Sequence, residues 1–453
     1  MNEEKKYTLA SNWVIRYEEK MEPHGLAYNI YSDTKVAISK PLYYILRLLK
    51  YSTLSISELH EAIHGQQSKE ILTNVLFHNS ALVDILVESN KTNTEDFIET
   101  TSCKFIDKFN IAIASYPFDA EIHFTEKCNL RCKHCGYDCS SESSLKEIEY
   151  FHWVNLFDQF EKNGLLKLAI SGGEPFFYYD IVNVLKGLQN RKFRIEFLTN
   201  SILIKEQYLQ YLTSPNMGFN ISLDGADKES HEYLRGKNTF YSALKSIKLL
   251  NEIGAKINIS ATIHKQNLAQ IEKLVCFVIQ NKVSSINFIL LDKIGRAKNN
   301  QDLHFSVEDR NLAINTITNM QQKYKNDIVI AYIDPINPQY NYLSKKVLNN
   351  NSKIYCSAAT NRIAVSADGN VYPCVYGYDL KERKGGNITD KTISEIWQTE
   401  KWDIFRGKVT FKELNQCQSC LLANSCTLVI CRLKAQVYSN DFYGIPYSCP
   451  KIL

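Results

Sequence analysis

Residues 121–135 read EIHFTEKCNLRCKHC, and this stretch decides the fold. Its first half, EIHFT (Glu121–Thr125), has the short alternating pattern of a β-strand. Directly after it, Cys128, Cys132 and Cys135 stand in the spacing C-x-x-x-C-x-x-C. Three thiolates so close together can wrap one metal centre. Zinc and an iron–sulfur cluster both accept thiolates. A structural zinc site asks for four ligands and usually shows paired C-x-x-C units. A cubane cluster held by three cysteines leaves one iron open to a cofactor or substrate.

Downstream, the same strand pattern recurs in KLAIS (Lys167–Ser171), RIEFLTN (Arg194–Asn200), FNISLD (Phe219–Asp224), INISATI (Ile257–Ile263) and SINFILL (Ser285–Leu291). Helical periodicity fills the gaps, as in YFHWVNLFDQFEKNG, TFYSALKSIKLLNEIG and NLAQIEKLVCFVIQN. Six strand–helix units predict parallel strands joined by right-handed crossovers. A full eight-fold barrel needs two more units. The expected fold class is therefore α/β, a partial (β/α)6 TIM-like barrel over 118–310, open on one side. Functional groups are expected where strands end. Ser171-Gly172-Gly173-Glu174-Pro175 ends the second strand, Asn200 the third, and Ser222-Leu223-Asp224-Gly225 the fourth. Ser260 and Thr262 lie on the fifth.

Upstream, residues 1–95 open with short alternating segments (WVIRYEE, LAYNIYS, TKVAIS) and continue with helical ones (PLYYILRLLKYS, SISELHEAI, KEILTNVLF). Ser55 and Ser57 are candidate helix N-caps with Glu58 in the first turn. Short strands followed by three helices predict a small winged-helix-like domain. Residues 96–117 are expected to link it to the barrel, and 311–350 to connect the barrel to a C-terminal module over 351–453. The Asn-rich loops near 298–301 and 349–351 are expected in solvent.

Composition excludes several classes. A net charge of +4 over 453 residues argues against nucleic acid or an anionic membrane as the main partner. The start, MNEEKKYTLASNW, has no apolar core of signal-peptide length, and no apolar run is long enough for a bilayer. The expected location is the cytoplasm, where the thirteen cysteines stay reduced and read as metal ligands rather than disulfides. Seven of them lie after residue 355, in a loop-rich module of the kind that owes its fold to metal.

The cysteine motif after a first barrel strand resembles the radical S-adenosylmethionine superfamily. That resemblance implies a [4Fe–4S] cluster on Cys128, Cys132 and Cys135, with S-adenosylmethionine chelating the open iron. One electron then cleaves its sulfonium, and a 5′-deoxyadenosyl radical abstracts hydrogen from a substrate carbon. In the family the Gly172-Gly173-Glu174 turn binds the cofactor amino group, which suits close backbone approach and a carboxylate facing an ammonium. Ser222 corresponds to a ribose contact, and Asp224 belongs to the same turn. Arg235, in HEYLRG, resembles the arginine that pairs with the cofactor carboxylate, a task for a bidentate fork. His134 stands where the family often has an aromatic near the adenine. Asn200, Ser260 and Thr262 are further candidates for lining the site. Cys139 reads as a free thiol rather than a hydrogen-atom donor, and Cys276 as a core residue.

The C-terminal cysteines resemble the SPASM domain with its two auxiliary clusters. The family order implies Cys417, Cys420, Cys426 and Cys449 on one cluster, and Cys356, Cys374 and Cys431 on the other. Four residues separate Cys426 from Cys431, where the family usually has three. The second set leaves an open iron, suited to a substrate thiolate. The N-terminal region resembles the PqqD-like element that binds a leader peptide by strand addition. Together these imply a peptide maturase akin to sactipeptide and ranthipeptide thioether synthases. Its partners would be a precursor peptide and an electron donor such as flavodoxin or ferredoxin. Other radical products stay open: a carbon–carbon crosslink, an epimerised residue or a formylglycine. So does a different class, a DNA-binding metal or redox sensor, although the GGE and SLDG turns would then have no purpose.

Overall fold

The computed structural model describes residues 5–19, 24–63, 69–77, 82, 84–88, 113–334, 353–378, 380–420 and 431–445. The chain divides into two compact units. One is Met1–Phe118 with Glu161–Leu166 and Lys192–Arg194; the other holds the rest.

The first unit contains β1 (Lys6–Leu9), β2 (Trp13–Tyr17), β3 (Gly25–Asn29), β4 (Thr34–Ile38), α1 (Lys40–Tyr51), β5 (Leu54–Ser55), α2 (Ile56–Ala62), α3 (Lys69–Phe77) and β6 (Leu86–Glu88). The strands form two antiparallel three-stranded sheets, ordered β5-β1-β6 and β2-β3-β4. Leu42, Ile45, Leu46 and Leu49 recur at helical spacing along α1 and bury its inner face. Of the two candidate caps, Ser55 is used. Its Oγ accepts from the Glu58 amide and Glu58 answers through the Ser55 amide, a full capping box. Ser57 lies inside α2.

The second unit is organised on one ten-stranded sheet. Its parallel strands are β7 (Asp119–His123), β8 (Lys167–Ser171), β9 (Arg194–Thr199), β10 (Met217–Ser222), β11 (Lys256–Ile263), β12 (Ser285–Leu290) and β13 (Val329–Ile333). The helices between them are α4 (Tyr150–Lys162), α5 (Ile181–Leu188), α6 (Lys228–Arg235), α7 (Phe240–Glu252), α8 (Ile271–Gln280) and α9 (Val307–Lys323). Each of the long crossovers buries one stripe, such as Trp153, Leu156, Phe157 and Phe160 on α4. The expected six units are extended to seven, because 311–334, read as connector, carries most of α9 and all of β13.

The C-terminal module adds β14 (Lys353–Tyr355), β15 (Arg362–Val365), β16 (Asn370–Tyr372), β17 (Gly386–Asn387), α10 (Ile393–Trp397), β18 (Arg406–Thr410) and α11 (Arg432–Ser439). β15 pairs parallel with β7, from Arg362 opposite Asp119 to Val365 opposite Ile122. It is an eighth parallel strand, supplied from outside the barrel sequence, and it seats the cysteine-rich module beside the first strand. β16 and β17 continue the sheet antiparallel.

Parallel strands covered by helices on both faces read as continuous apolar runs; these do not. One face is apolar and fully buried, as at Ile122, Leu168, Ile170, Ile195, Phe197 and Ile221. The other face points into the open barrel and is polar. Lys167 pairs with Glu196 at 3.8 Å, Glu196 accepts from Asn220 at 2.7 Å, Asn220 accepts from Asn258, and Ser285 donates to Asn258 at 2.8 Å. This belt joins five strands and satisfies its own members. Among the described residues, no helix is long and apolar enough to cross a membrane.

Candidate active site

The loop after β7 carries Cys128, Cys132 and Cys135. Thr125 starts it: its Oγ1 accepts from the Lys127 amide at 2.9 Å and donates to Glu147 at 2.6 Å. The turn after β8 lies directly against this loop. The Gly173 amide donates to Thr125 O at 3.0 Å and the Glu174 amide to Lys127 O at 2.9 Å. Only glycine fits here. A Cβ on Gly173 would sit 2.1 Å from Lys127 O, and one on Gly172, at φ +113°, 2.5 Å from Thr125 O. Gly173→Ala is expected to displace the cysteine loop and weaken S-adenosylmethionine binding at least about tenfold. Equilibrium binding to the reconstituted protein checks this; unchanged affinity would contradict it.

Glu174 is 1 % exposed and ties the ends of β8 and β9 together. Thr199 Oγ1 donates to its Oε1 at 2.6 Å, and the Asn200 amide to its Oε2 at 2.8 Å. The Phe176 amide donates at 3.3 Å. Burial pushes the carboxyl up to about 7, against these donors. A carboxylate has about four acceptor positions, so three donors leave room for an ammonium. The charged form that would pair with it is lost as pH falls through about 7. S-adenosylmethionine affinity is therefore expected to drop up to about tenfold per pH unit below that value. Glu174→Gln is expected to bind more weakly and to lose this slope. A titration of Kd against pH for both proteins is the check.

Asn200 reaches from Glu174 to the cysteines: its Nδ2 donates to Asn129 Oδ1 at 2.9 Å and lies 3.8 Å from Cys128 Sγ. A second group surrounds Asp224, which is fully buried at the end of β10. Arg235 Nε donates to its Oδ2 at 2.6 Å and Nη2 to its Oδ1 at 3.3 Å. The Thr262 amide donates to Oδ1 at 2.7 Å. Burial opposes the Asp224 charge, yet Arg235 and the neighbouring histidines override it and hold the carboxyl at about 2. Arg235 in turn lies 4.0 Å from Cys132 Sγ and 3.4 Å from His134 Nε2. Burial and Arg235 keep His134 neutral, down at about 3. Ser222 and Ser260 face each other in register across β10 and β11, both half-buried.

Three contributors escape a reading by motif. Arg296 Nε donates to Cys132 O at 2.8 Å, its amide to Cys135 O at 2.9 Å, and its Nη1 to Cys139 O at 2.9 Å. Asn300, expected in solvent, donates to Lys133 O at 2.9 Å. Asn267 Nδ2 donates to Asp224 O and Thr262 O, both at 2.9 Å. The available signal was Gly295-Arg296 just beyond β12. Gly295 has φ +52°, and a Cβ there would meet Cys135 O at 2.2 Å. Cys139 is buried, and its thiol donates to Tyr137 O at 4.0 Å. Cys276 lies on α8 with Sγ 3.3 Å from the Tyr324 hydroxyl.

In the C-terminal module Cys356 is raised first by burial and then by Cys431, and Cys374 first by burial and then by Cys356 and Cys431. Cys417 and Cys420 share one turn, with the Cys420 amide donating to Cys417 O at 3.1 Å. Cys426 and Cys449 lie outside the described residues. None of the ten cysteines that the structure describes is in a disulfide. Among the described residues, no group of three or more Cys, His, Asp and Glu side chains closes around a single metal ion.

These donors suit iron–sulfur clusters. Cys132 is buried and Cys128 and Cys135 are half-buried, and N–H groups are already turned toward sulfur: Leu130 N lies 3.4 Å from Cys128 Sγ, beside Asn200 and Arg235. Comparison with known proteins agrees. Residues 122–278 match the Radical SAM superfamily, and residues 356–421 match SPASM, an iron–sulfur cluster-binding domain. The cysteine-type anaerobic sulfatase-maturating enzyme of Clostridium novyi is 28 % identical over 304 residues, covering 61 % of this chain and 77 % of that protein. The PqqA peptide cyclase of Rhizobium meliloti is 22 % identical over 310 residues, covering 67 % and 79 %. Streptococcus suis SuiB, in a crystal structure bound to its precursor peptide SuiA, superposes with a TM-score of 0.71. The two are 20 % identical, and the match covers 98 % of this chain and 100 % of that one, a likeness of fold. The chain thus joins a radical S-adenosylmethionine domain to a C-terminal SPASM domain, a radical S-adenosylmethionine enzyme whose cofactors are S-adenosylmethionine and several [4Fe–4S] clusters.

Proposed function

We propose that the enzyme abstracts hydrogen from a ribosomally made precursor peptide and forms a cysteine thioether within it. The observation that carries this reading is the set Cys356, Cys374 and Cys431. Burial raises the Cys356 and Cys374 thiols, Cys431 raises Cys356 further, and Cys356 and Cys431 raise Cys374 further. A cluster held by three cysteines has room for a substrate thiolate. That the substrate is a peptide is supported by the relatives: one is a PqqA peptide cyclase, and SuiB binds a precursor peptide.

The geometry of the described site residues supports the following roles. Cys128, Cys132 and Cys135 would hold the cluster that, when reduced, supplies homolytic cleavage of S-adenosylmethionine. Gly172 and Gly173 keep the backbone close enough for the cofactor amino group, and Glu174 offers it a carboxylate. Arg235, fixed by Asp224, presents a planar cation beside Cys132 for the cofactor carboxylate. His134, Ser222, Ser260, Thr262 and Asn200 line the remaining approach. The auxiliary ligands are Cys356, Cys374 and Cys431, and Cys417, Cys420, Cys426 and Cys449.

Residues 1–95, with their strands and three helices, are read as a PqqD-like winged helix that binds the leader at a sheet edge. An electron donor such as flavodoxin or ferredoxin completes the set in the cytoplasm. The test is anaerobic incubation with a cysteine-containing precursor peptide, S-adenosylmethionine and a reductant. A product lighter by two hydrogens whose cysteine resists alkylation supports the thioether. The same mass loss with a free thiol favours a carbon–carbon crosslink instead. No change in the peptide overturns both.

A further inference from the structure

Arg432 directly follows Cys431 and opens α11, yet it is 1 % exposed. Arginine is rarely buried this completely without a partner for its charge. Its Nη1 donates to Phe442 O at 3.3 Å and Gly444 O at 2.8 Å. These carbonyls come from the turn after α11. The helix ends at Asn440, which is left-handed at φ 55°, and the chain folds back through the Gly444 amide to Asp441 O at 3.2 Å. The two carbonyls therefore fix the plane of the guanidinium. Its other nitrogens, Nε and Nη2, are buried and have no hydrogen-bond partner among the described residues. Unpaired N–H donors of a buried cation are costly, so something of opposite charge is expected to face them.

The thiols around it say what. Burial works against the Arg432 charge, while Cys417, Cys431, Asp441 and Cys356 act to favour it. Cys417 belongs to one auxiliary ligand set, and Cys356 and Cys431 to the other. Arg432 thus stands within electrostatic reach of both sets, with free donors.

We infer that Arg432 donates Nε–H and Nη2–H to sulfur atoms of the auxiliary clusters and raises the reduction potential of both. The physical basis is charge. Each cluster with its thiolates is anionic, and an electron from a one-electron reductant makes it more so. A fixed guanidinium and N–H···S hydrogen bonds favour that more negative state. One side chain acting on both sets would also keep their potentials close, which suits electron passage between them.

The test uses the full chain with Cys128→Ala, Cys132→Ala and Cys135→Ala, so that only auxiliary clusters give EPR signals. About eight irons in this background confirm that both clusters are present before Arg432 is changed. Fewer irons there would count against the auxiliary-cluster reading itself and is distinguishable for that reason. Dithionite titration is then followed by EPR for Arg432→Met and Arg432→Lys. Arg432→Met, with iron retained, is expected to move both midpoints to more negative potential. Arg432→Lys, which keeps the charge and loses the fork, is expected to move them less. Unchanged midpoints in Arg432→Met with full iron would overturn the inference. Should Arg432→Met lose iron, pulsed EPR of the background protein labelled with guanidino-15N arginine decides. A nitrogen coupling that disappears in Arg432→Lys supports the inference, and no coupling with Arg432 in place overturns it.

Discussion

Replacing Cys128, Cys132 and Cys135 together by alanine is expected to remove about four of about twelve irons and to abolish reductive cleavage of S-adenosylmethionine. The loss should be complete rather than graded, because the three thiols share one loop and one centre. The loop itself should survive. Arg296 holds it through the carbonyls of Cys132, Cys135 and Cys139, and the Thr125 and Lys127 carbonyls are held by Gly173 and Glu174. None of these contacts uses a cysteine side chain. The variant should therefore fold and keep its auxiliary clusters, and iron analysis beside 5′-deoxyadenosine assay checks both halves.

Arg235→Ala is the substitution with the largest expected effect on stability. Asp224 has no exposed surface, and Arg235 is nearly as buried. Removing the guanidinium strands a carboxylate that still accepts from the Thr262 amide. Breaking a buried pair from one side costs about 3–5 kcal/mol. The pH dependence gives the expectation a sign. The folded carboxyl of Asp224 sits at about 2, below its ordinary 3.8. Its contribution is thus present above 3.8 and lost as pH falls through 2. In Arg235→Ala the stranded carboxyl should rise instead, so the variant should recover part of the deficit at mildly acidic pH. Anaerobic denaturant unfolding at two pH values measures this. Asp224→Asn/Arg235→Met should be less destabilised than the two single changes summed.

Much of this fold can be read from one-dimensional pattern. The six strands from EIHFT to SINFILL fall within two residues of their positions, because one face of each is a run of buried apolar side chains. The seventh unit is hidden by weak patterning. α9 buries only Ala313, Ile317 and Met320 of seventeen residues, and VIAYI is a short strand at its end. The eighth strand is invisible for another reason. Arg362–Val365 joins β7 by pairing across the whole barrel sequence, which no local period records.

The site shows the same division. Cysteine spacing, the double glycine and the SLDG turn are local signatures. The partnership of Arg235 with Asp224, and the grip of Arg296 on the cysteine loop, depend on which strand ends meet. Glu174 illustrates both: its motif marks it, but only the structure shows it tied to Thr199 and Asn200.

The central claim is that radical chemistry at Cys128, Cys132 and Cys135 is aimed at a peptide. The most direct measurement is isotope transfer. The cysteine-containing precursor, made with deuterated amino acids, is incubated anaerobically with enzyme, S-adenosylmethionine and reductant. Deuterium in 5′-deoxyadenosine, in step with the loss of two hydrogen isotopes from the peptide, is the predicted result. Cleavage of S-adenosylmethionine that leaves the peptide unchanged and its deuterium in place would contradict it.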